Sequence, residues 1–307
     1  MVLFNYIVMC LIFGTTFLAI KIGIDAGASP FFSAGLRFFL AGLILFCWMV
    51  GKKKASISLL LRKEMLLTGI GLTFGVFAAL YWAEQHVSSG IAAVLSATGP
   101  LMILLLQSRG GRQQLSAASW GGCLVGLAGV VLLLLPGLTV TFDAWWLLGC
   151  LAVLIGEMFY AGGAVYSRQV IERFGQVSPI ALNAAQMLYG GLLLLILSLL
   201  TEPVSFRPLL KPQAALSLLY LIFFGSMMGH TMFYWLVAKT NPVFPSTWLY
   251  ISPLISLFLG AMFYGEPLTL LSLLGGVTII AGIALANLES LRKFAGKRQR
   301  TTRSIRG

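Results

Sequence analysis

Long apolar runs constrain this chain more than any other feature of its sequence. A helix needs about 20 mostly apolar residues to cross the hydrocarbon core of a bilayer, and ten such runs follow one another here. They cover residues 3–21, 31–50, 66–84, 88–107, 116–135, 145–166, 180–200, 214–237, 244–263 and 269–288. Charge clusters and turn residues separate them. The sequence therefore predicts an all-α polytopic membrane protein with ten transmembrane helices.

The composition excludes most classes of soluble protein. Apolar residues make up 59% of the 307 residues and charged residues only 10%, against about 45–50% and about 25% in soluble domains. The sequence contains no HExxH, GxSxG or Walker motif, so we expect no enzyme activity and no direct use of ATP. The four cysteines share no CxxC spacing, and we expect neither a metal site nor a cofactor.

The net charge of +12 indicates an orientation in the membrane. Lys and Arg in short loops favour the cytoplasmic side. With the N-terminus inside, 17 of the 21 basic residues fall in cytoplasmic loops or in a basic tail at 291–307. A soluble protein with this charge would suggest a nucleic-acid partner, but here we expect none. The sequence therefore predicts a bacterial plasma-membrane protein with both termini in the cytoplasm and its tail near lipid headgroups.

Matching residues recur between the two halves of the chain. At an offset of 153, the matches are Tyr81-Trp82 with Tyr234-Trp235, Pro100 with Pro253, Gly122 with Gly275 and Gly129 with Gly282. Gly42 matches Gly191 at an offset of 149. Because each half holds five predicted spans, an odd number, the second half must enter the membrane in the opposite orientation. We therefore expect two inverted repeats, at 1–138 and 139–290, an arrangement typical of secondary transporters.

Short motifs follow one another along nearly the whole chain. They are Ile12–Lys21, Ser29–Phe38, Ser88–Leu95 followed by Pro100, and Gly265–Leu268 followed by Gly275-Gly276 and Gly282. In order and spacing these motifs resemble the EamA-type permeases of the drug/metabolite transporter superfamily. The resemblance implies ten helices in two inverted repeats, alternating access through a central cavity, and small metabolites as cargo, which are often exported.

Two ionisable residues stand out inside the predicted spans. Glu157 lies near the middle of the sixth span, where a charge costs about 2.5–3.5 kcal/mol on the insertion scale. It is either a proton-coupling or amine-binding carboxylate, or an acid that locks helix packing. His230 lies deep in the eighth span and shares a helix face with Tyr234. It is a hydrogen-bond donor that lines the cavity, or a proton relay with Glu157, or a group that forms an interhelical hydrogen bond.

Aromatic, proline and small polar residues complete the predicted substrate cavity. Rings in related positions would suit an aromatic or amine-bearing cargo, or they pack the core. Prolines interrupt the fourth and ninth spans, which points to a site at the repeat interface or to kinks that serve packing. The predicted cavity residues are Thr15, Thr16, Tyr81, Trp82, Ser96, Pro100, Glu157, Tyr160, His230, Tyr234, Trp235, Trp248, Ser252 and Pro253.

Arg37 and Lys21 are expected near the outer interface of the membrane. Snorkelling and helix-end pairing with Asp25 or Glu84 explain both residues. Three Gly-x-x-x-Gly pairs, which begin at Gly71, Gly122 and Gly225, are expected to let helices pack closely.

Together these features predict a secondary transporter that moves a small organic metabolite by alternating access. The aromatic residues and one deep acid favour an amino acid or a related amine-bearing compound, and export is favoured over import. Two alternatives stay open: a broad efflux carrier for cationic amphiphiles, and a channel-like passive pore. The expected partners are the substrate and the lipid bilayer, and the chain is either a monomer or a homodimer.

Overall fold

Helices form every regular element in the described part of the chain. The computed structural model describes residues 1–87, 89–109, 116–135, 143–203, 207–255, 269–286 and 288. The predicted motif Gly265–Leu268, the second half of the ninth predicted span and the basic tail at 291–307 lie outside these residues.

Seven helices within the described residues are long and apolar enough to cross a membrane. They are α1 (Val2–Asp25), α2 (Pro30–Gly51), α3 (Lys63–Ala83), α4 (Ile91–Ser108), α6 (Ala144–Arg173), α7 (Pro179–Thr201) and α8 (Pro212–Lys239). Shorter apolar helices are α5 (Ala117–Leu133), α9 (Val243–Ile255) and α10 (Leu273–Ala286). This arrangement is that of a multi-pass membrane protein.

The helix ends follow from local sequence. A proline opens both α2 and α7 directly after a serine, at a position where its missing N–H would have no intrahelical partner. The sixth span runs two turns beyond its predicted end at 166. There the Nε of Arg168 lies 2.6 Å from the Glu172 carboxylate, one turn further on, and such a pair supports a helix outside the apolar run.

Apolar side chains cover the outside of the helix bundle, and polar side chains lie within it. Leu200 is 78% exposed and Val277 is 68% exposed, which is favourable only where lipid replaces water. Inside, Thr73 of α3 donates to the Gln186 side chain of α7 at 2.8 Å. Gln186 in turn donates to Asn183 at 3.1 Å. Such a chain satisfies polar groups that lipid cannot.

Glycines set the crossing between α2 and α7. A methyl group at Gly191 would lie 3.0 Å from the Gly35 carbonyl oxygen, and one at Gly42 would lie 2.9 Å from the Ala184 carbonyl oxygen. Gly42 comes after Gly35 in α2, but its neighbour Ala184 comes before Gly191 in α7. The two helices therefore run antiparallel.

The crossing between α5 and α10 has the same form. Gly122 lies against Gly282, and Gly129 lies against Gly275. These helices also run antiparallel with their backbones in contact. The expected role of small residues in close helix packing is confirmed here, and also where Gly71 of α3 lies against Gly163 of α6.

Irregular turns occur at corresponding places in the two halves of the chain. In α3 the residues Ile70–Gly75 form a π-helical stretch, and in α8 the residues Leu221–His230 do so. Such stretches are frequent at functional sites. The sequence did not predict them.

The fourth and ninth helices are broken ahead of their prolines. Helix α4 stops at Ser96 and resumes at Gly99, because Pro100 has no N–H to bond to the Ser96 carbonyl. In α9 the break lies at Thr247. The predicted interruption at Pro253 is therefore displaced by six residues toward the start of the helix.

Candidate functional site

A cavity lies between helices of both halves. Helices α1 to α4 contribute to its wall from the first half, and α6, α8 and α9 contribute from the second. The wall is mainly apolar, and its large aromatic side chains are Phe13, Phe17, Phe77, Tyr160, Phe233 and Trp248.

Six of the predicted site residues line this cavity. They are Thr16, Ser96, Glu157, Tyr160, His230 and Trp248. Contacts between helices hold them in place: the Tyr160 hydroxyl donates to Ser246 at 3.0 Å and accepts from Trp248 Nε1 at 3.3 Å.

The other predicted site residues lie away from the cavity wall, as far as the described residues define it. Thr15 donates to the Ile12 carbonyl at 2.7 Å and shares a hydrogen bond with the Tyr220 hydroxyl. The Trp82 ring lies 4.7 Å from that of His86. The remaining predicted residues, which are buried or partly buried behind the wall, are Tyr81, Pro100, Tyr234, Trp235, Ser252 and Pro253.

Glu157 lies in α6 and is only 4% exposed. Its Oε2 has no hydrogen-bond partner among the described residues, and no Lys or Arg of the described chain pairs with it. Gly99 of α4 leaves room for the carboxyl group, since a methyl group there would lie 2.5 Å from Oε2. Ser96 is hydrogen-bonded to the carboxyl group, so Oε2 is the oxygen that can receive either a proton or a cationic group of a ligand.

His230 of α8 lies in a ring of aromatic side chains. Its ring centre is 5.2 Å from that of Phe13, 5.3 Å from that of Phe38 and 5.8 Å from that of Phe77. Its Nε2 has no hydrogen-bond partner within the described residues. The structure thus brings His230 and Glu157 to one cavity without a bond between them.

The expectation that Arg37 snorkels to the outer interface is wrong. The side chain is 1% exposed and lies on the cavity wall. Its Nε donates to Ser226 Oγ at 2.8 Å, and Gly225 leaves room for its end, since a methyl group there would lie 2.9 Å from Nη2. The sequence position of Arg37 could have indicated its burial, because the residue lies two turns inside α2, about 10 Å along the helix axis. By contrast, Lys21 pairs with Asp25 at 3.0 Å, as expected.

The chain as a whole is similar to a known family of proteins. The profile of the EamA-like transporter family matches residues 1–135 and 147–288, which is nearly the whole chain. The chain belongs to the EamA-like transporter family. The resemblance seen in the sequence motifs is therefore confirmed.

Two curated relatives show how far the similarity extends. The uncharacterized inner membrane transporter YedA of Escherichia coli K12 is 29% identical over 284 residues, which cover 91% of this chain and 88% of YedA. The uncharacterized transporter YoaV of Bacillus subtilis is 26% identical over 293 residues, which cover 95% and 98% of the two chains. This EamA protein is accordingly a membrane transporter.

A solved crystal structure shares the fold. It superposes with a TM-score of 0.75 at 22% identity, over 94% of this EamA protein and 97% of the other chain. At that identity the likeness concerns the fold alone.

Proposed function

We propose that this EamA protein is a secondary transporter that moves a small organic metabolite across a bacterial inner membrane by alternating access. The cargo is an amino acid or a related amine-bearing compound, and the direction is export. The observation that carries the proposal is the cavity between the two halves, where the buried Glu157 carboxyl group, with its Oε2 unbonded among the described residues, lies close to aromatic side chains.

The proposed architecture is ten spans in two inverted repeats, at 1–138 and 139–290, followed by the basic tail. Helix packing supports it. Gly42 and Gly191 match in the sequence repeat, and the helices that hold them cross antiparallel. The matched helices α5 and α10 do the same. Corresponding helices that run in opposite directions are what an inverted repeat requires. The distribution of Lys and Arg supports both termini in the cytoplasm.

Alternating access requires contacts between the halves that can open. Tyr6 of α1 shares a hydrogen bond of 2.6 Å with Thr247 of α9. The rings of Phe13 and Trp248, which both line the cavity, lie 4.6 Å apart. These contacts join a helix of the first half to the broken helix of the second. A shift of α9 at its break would separate these contacts, as alternating access requires.

The test is counterflow in proteoliposomes with a panel of metabolites, with and without a pH gradient. Saturable exchange of an amine-bearing metabolite is expected, and its absence across the panel would refute the proposed cargo. Glu157→Gln is expected to abolish the effect of the pH gradient, because an amide cannot exchange a proton. If that effect persists in Glu157→Gln, Glu157 does not couple protons to transport.

The aromatic wall also favours a second function, the efflux of cationic amphiphiles. Flat cations would lie against Phe17 or Trp248 with their charge toward Glu157. Competition separates the two functions. If the protein carries cationic amphiphiles, amphiphilic dyes are expected to displace a bound amino acid from the cavity. Unsaturable flux without counterflow would instead indicate a passive pore.

A further inference from the structure

Arg37 carries a permanent charge in the cavity wall without an ion-pair partner. Within the described residues no carboxylate oxygen lies within 4.0 Å of it. Its two hydrogen-bond acceptors, Ser226 and Tyr81, are neutral hydroxyl groups. A buried charge is costly unless it is both paired and hydrogen-bonded. An anion that binds at the Arg37 guanidinium group would therefore offset this cost.

The end of the Arg37 side chain remains available for that anion. The hydrogen bond from Nη1 to the Tyr81 hydroxyl is long, at 3.4 Å, and no bond from Nη2 is found in the described part of the chain. The guanidinium carbon lies 4.6 Å from the Phe38 ring centre and 5.2 Å from that of Phe77. These rings fix the guanidinium group without using its N–H donors, which can then bind both oxygens of a carboxylate.

Two buried carboxyl groups of the protein, those of Glu157 and Glu84, could form an ion pair with Arg37, but neither does so in the structure. Glu157 lines the same cavity, but its carboxyl group is hydrogen-bonded to Ser96 and not to Arg37, and its Oε2 is without a partner among the described residues. Glu84 follows Tyr81 by one turn at the end of α3, and neither of its oxygens is hydrogen-bonded among the described residues. A cation and an acid that share a cavity without pairing are both left for a ligand.

We propose that Arg37 binds the carboxylate of the cargo while Glu157 binds its ammonium group. The cavity then selects an amino-acid zwitterion with an apolar side chain, which packs against the aromatic wall, over a simple amine. This inference rests on the proposed transport function and narrows its substrate class.

The test uses purified full-length protein in detergent and matched probes that differ only at the carboxylate. L-leucine and L-phenylalanine are compared with leucinamide and phenylalaninamide, and binding is measured by tryptophan fluorescence, since Trp248 lies in the cavity wall. The wild type is expected to bind the acids about tenfold to a hundredfold more tightly than the amides. Arg37→Gln is expected to lose this preference. Arg37→Lys keeps the charge but not the planar fork, so it is expected to keep part of the preference.

Glu84→Gln is the matched control, because it removes a buried carboxyl group that could pair with Arg37 in another state. It is expected to keep the preference for acids. The assignment is overturned if the wild type binds no probe or shows no preference, if Arg37→Gln keeps the preference, or if Glu84→Gln also loses it. If Arg37→Gln does not fold, the comparison of acids with amides in the wild type decides whether the assignment stands.

Counterflow separates this inference from the function on which it rests. Binding of acids over amides without exchange of any metabolite in proteoliposomes would refute transport and leave the Arg37 site in place. Exchange of amines with no preference for a carboxylate would refute the Arg37 site and leave transport in place.

Discussion

Replacing Gly122 by alanine tests whether backbone contact between α5 and α10 stabilises the fold. A methyl group there would lie 2.1 Å from the Ala286 amide nitrogen, 2.5 Å from the Ala286 Cα and 2.7 Å from the Gly282 carbonyl oxygen. Carbon atoms normally approach no closer than about 3.5 Å, so the helices must separate by about an ångström. All three neighbours are backbone atoms, which cannot move aside by changing rotamer.

The neighbouring glycine of the same helix provides the control. At Gly121 the nearest atom to an added methyl group is Leu285 Cδ2, at 3.8 Å. We expect Gly122→Ala to lower the free energy of unfolding by about 1–3 kcal/mol. Gly121→Ala is expected to be neutral or to stabilise by up to about 1 kcal/mol through helix propensity.

Thermal unfolding of the two variants in the same detergent checks this prediction. The midpoint of Gly122→Ala is expected to fall by several degrees, while that of Gly121→Ala stays at or above the wild-type value. Equal midpoints for the two variants would show that α5 and α10 do not meet along this face.

Two further substitutions test contacts at the helix ends. Glu202→Gln is expected to lower the free energy of unfolding by about 1 kcal/mol, because the carboxylate accepts from the Phe31 N–H at 2.8 Å at the start of α2; an unchanged melting temperature would contradict this. Arg173→Gln is expected to destabilise the fold, because it leaves the Glu64 carboxylate, which is 5% exposed, without the partner that lies 2.7 Å away. Adding Glu64→Gln is expected to recover part of the loss in the same melt, and no recovery would show that the pair is not stabilising.

The helices could be predicted from the sequence because their apolar runs are long. The direction in which each side chain points could not, because a membrane helix is apolar toward lipid and toward its neighbours alike. Thr15 and Thr16 illustrate this limit. Both were predicted to line the cavity, but adjacent residues point about 100° apart on a helix, and only Thr16 lies on the wall. Thr15 bonds to Tyr220 of α8 instead.

Arg37 shows a second limit. Its burial depends on Ser226 and Gly225 of α8, which are nearly 190 residues further along the chain. Both lie in the π-helical stretch Leu221–His230, whose wider turn changes which residues face α2. Nothing in the pattern of apolar residues indicates that change of turn. Glu157 was therefore predicted to line the cavity, but Arg37 was not.

Glycines next to the cavity have a different role from those between α5 and α10. An added methyl group at Gly225 would lie 2.9 Å from Arg37 Nη2, and one at Gly99 would lie 2.5 Å from Glu157 Oε2. In both cases the closest atom belongs to the end of a side chain and not to backbone, so it can be displaced without separating two helices. We therefore expect Gly225→Ala to melt close to the wild type, in contrast to Gly122→Ala.

The same substitution must move the guanidinium group, and binding geometry is sensitive to displacements of this size. Gly225→Ala is accordingly expected to weaken the binding of L-leucine and L-phenylalanine several-fold while the melting temperature stays within about a degree of the wild type. Gly162→Ala of α6, where no atom lies within 4 Å of an added methyl group, is expected to change neither quantity. Binding and stability that fall together in Gly225→Ala would mean that Gly225 serves helix packing alone, and that the room it leaves for Arg37 has no part in recognition of the cargo.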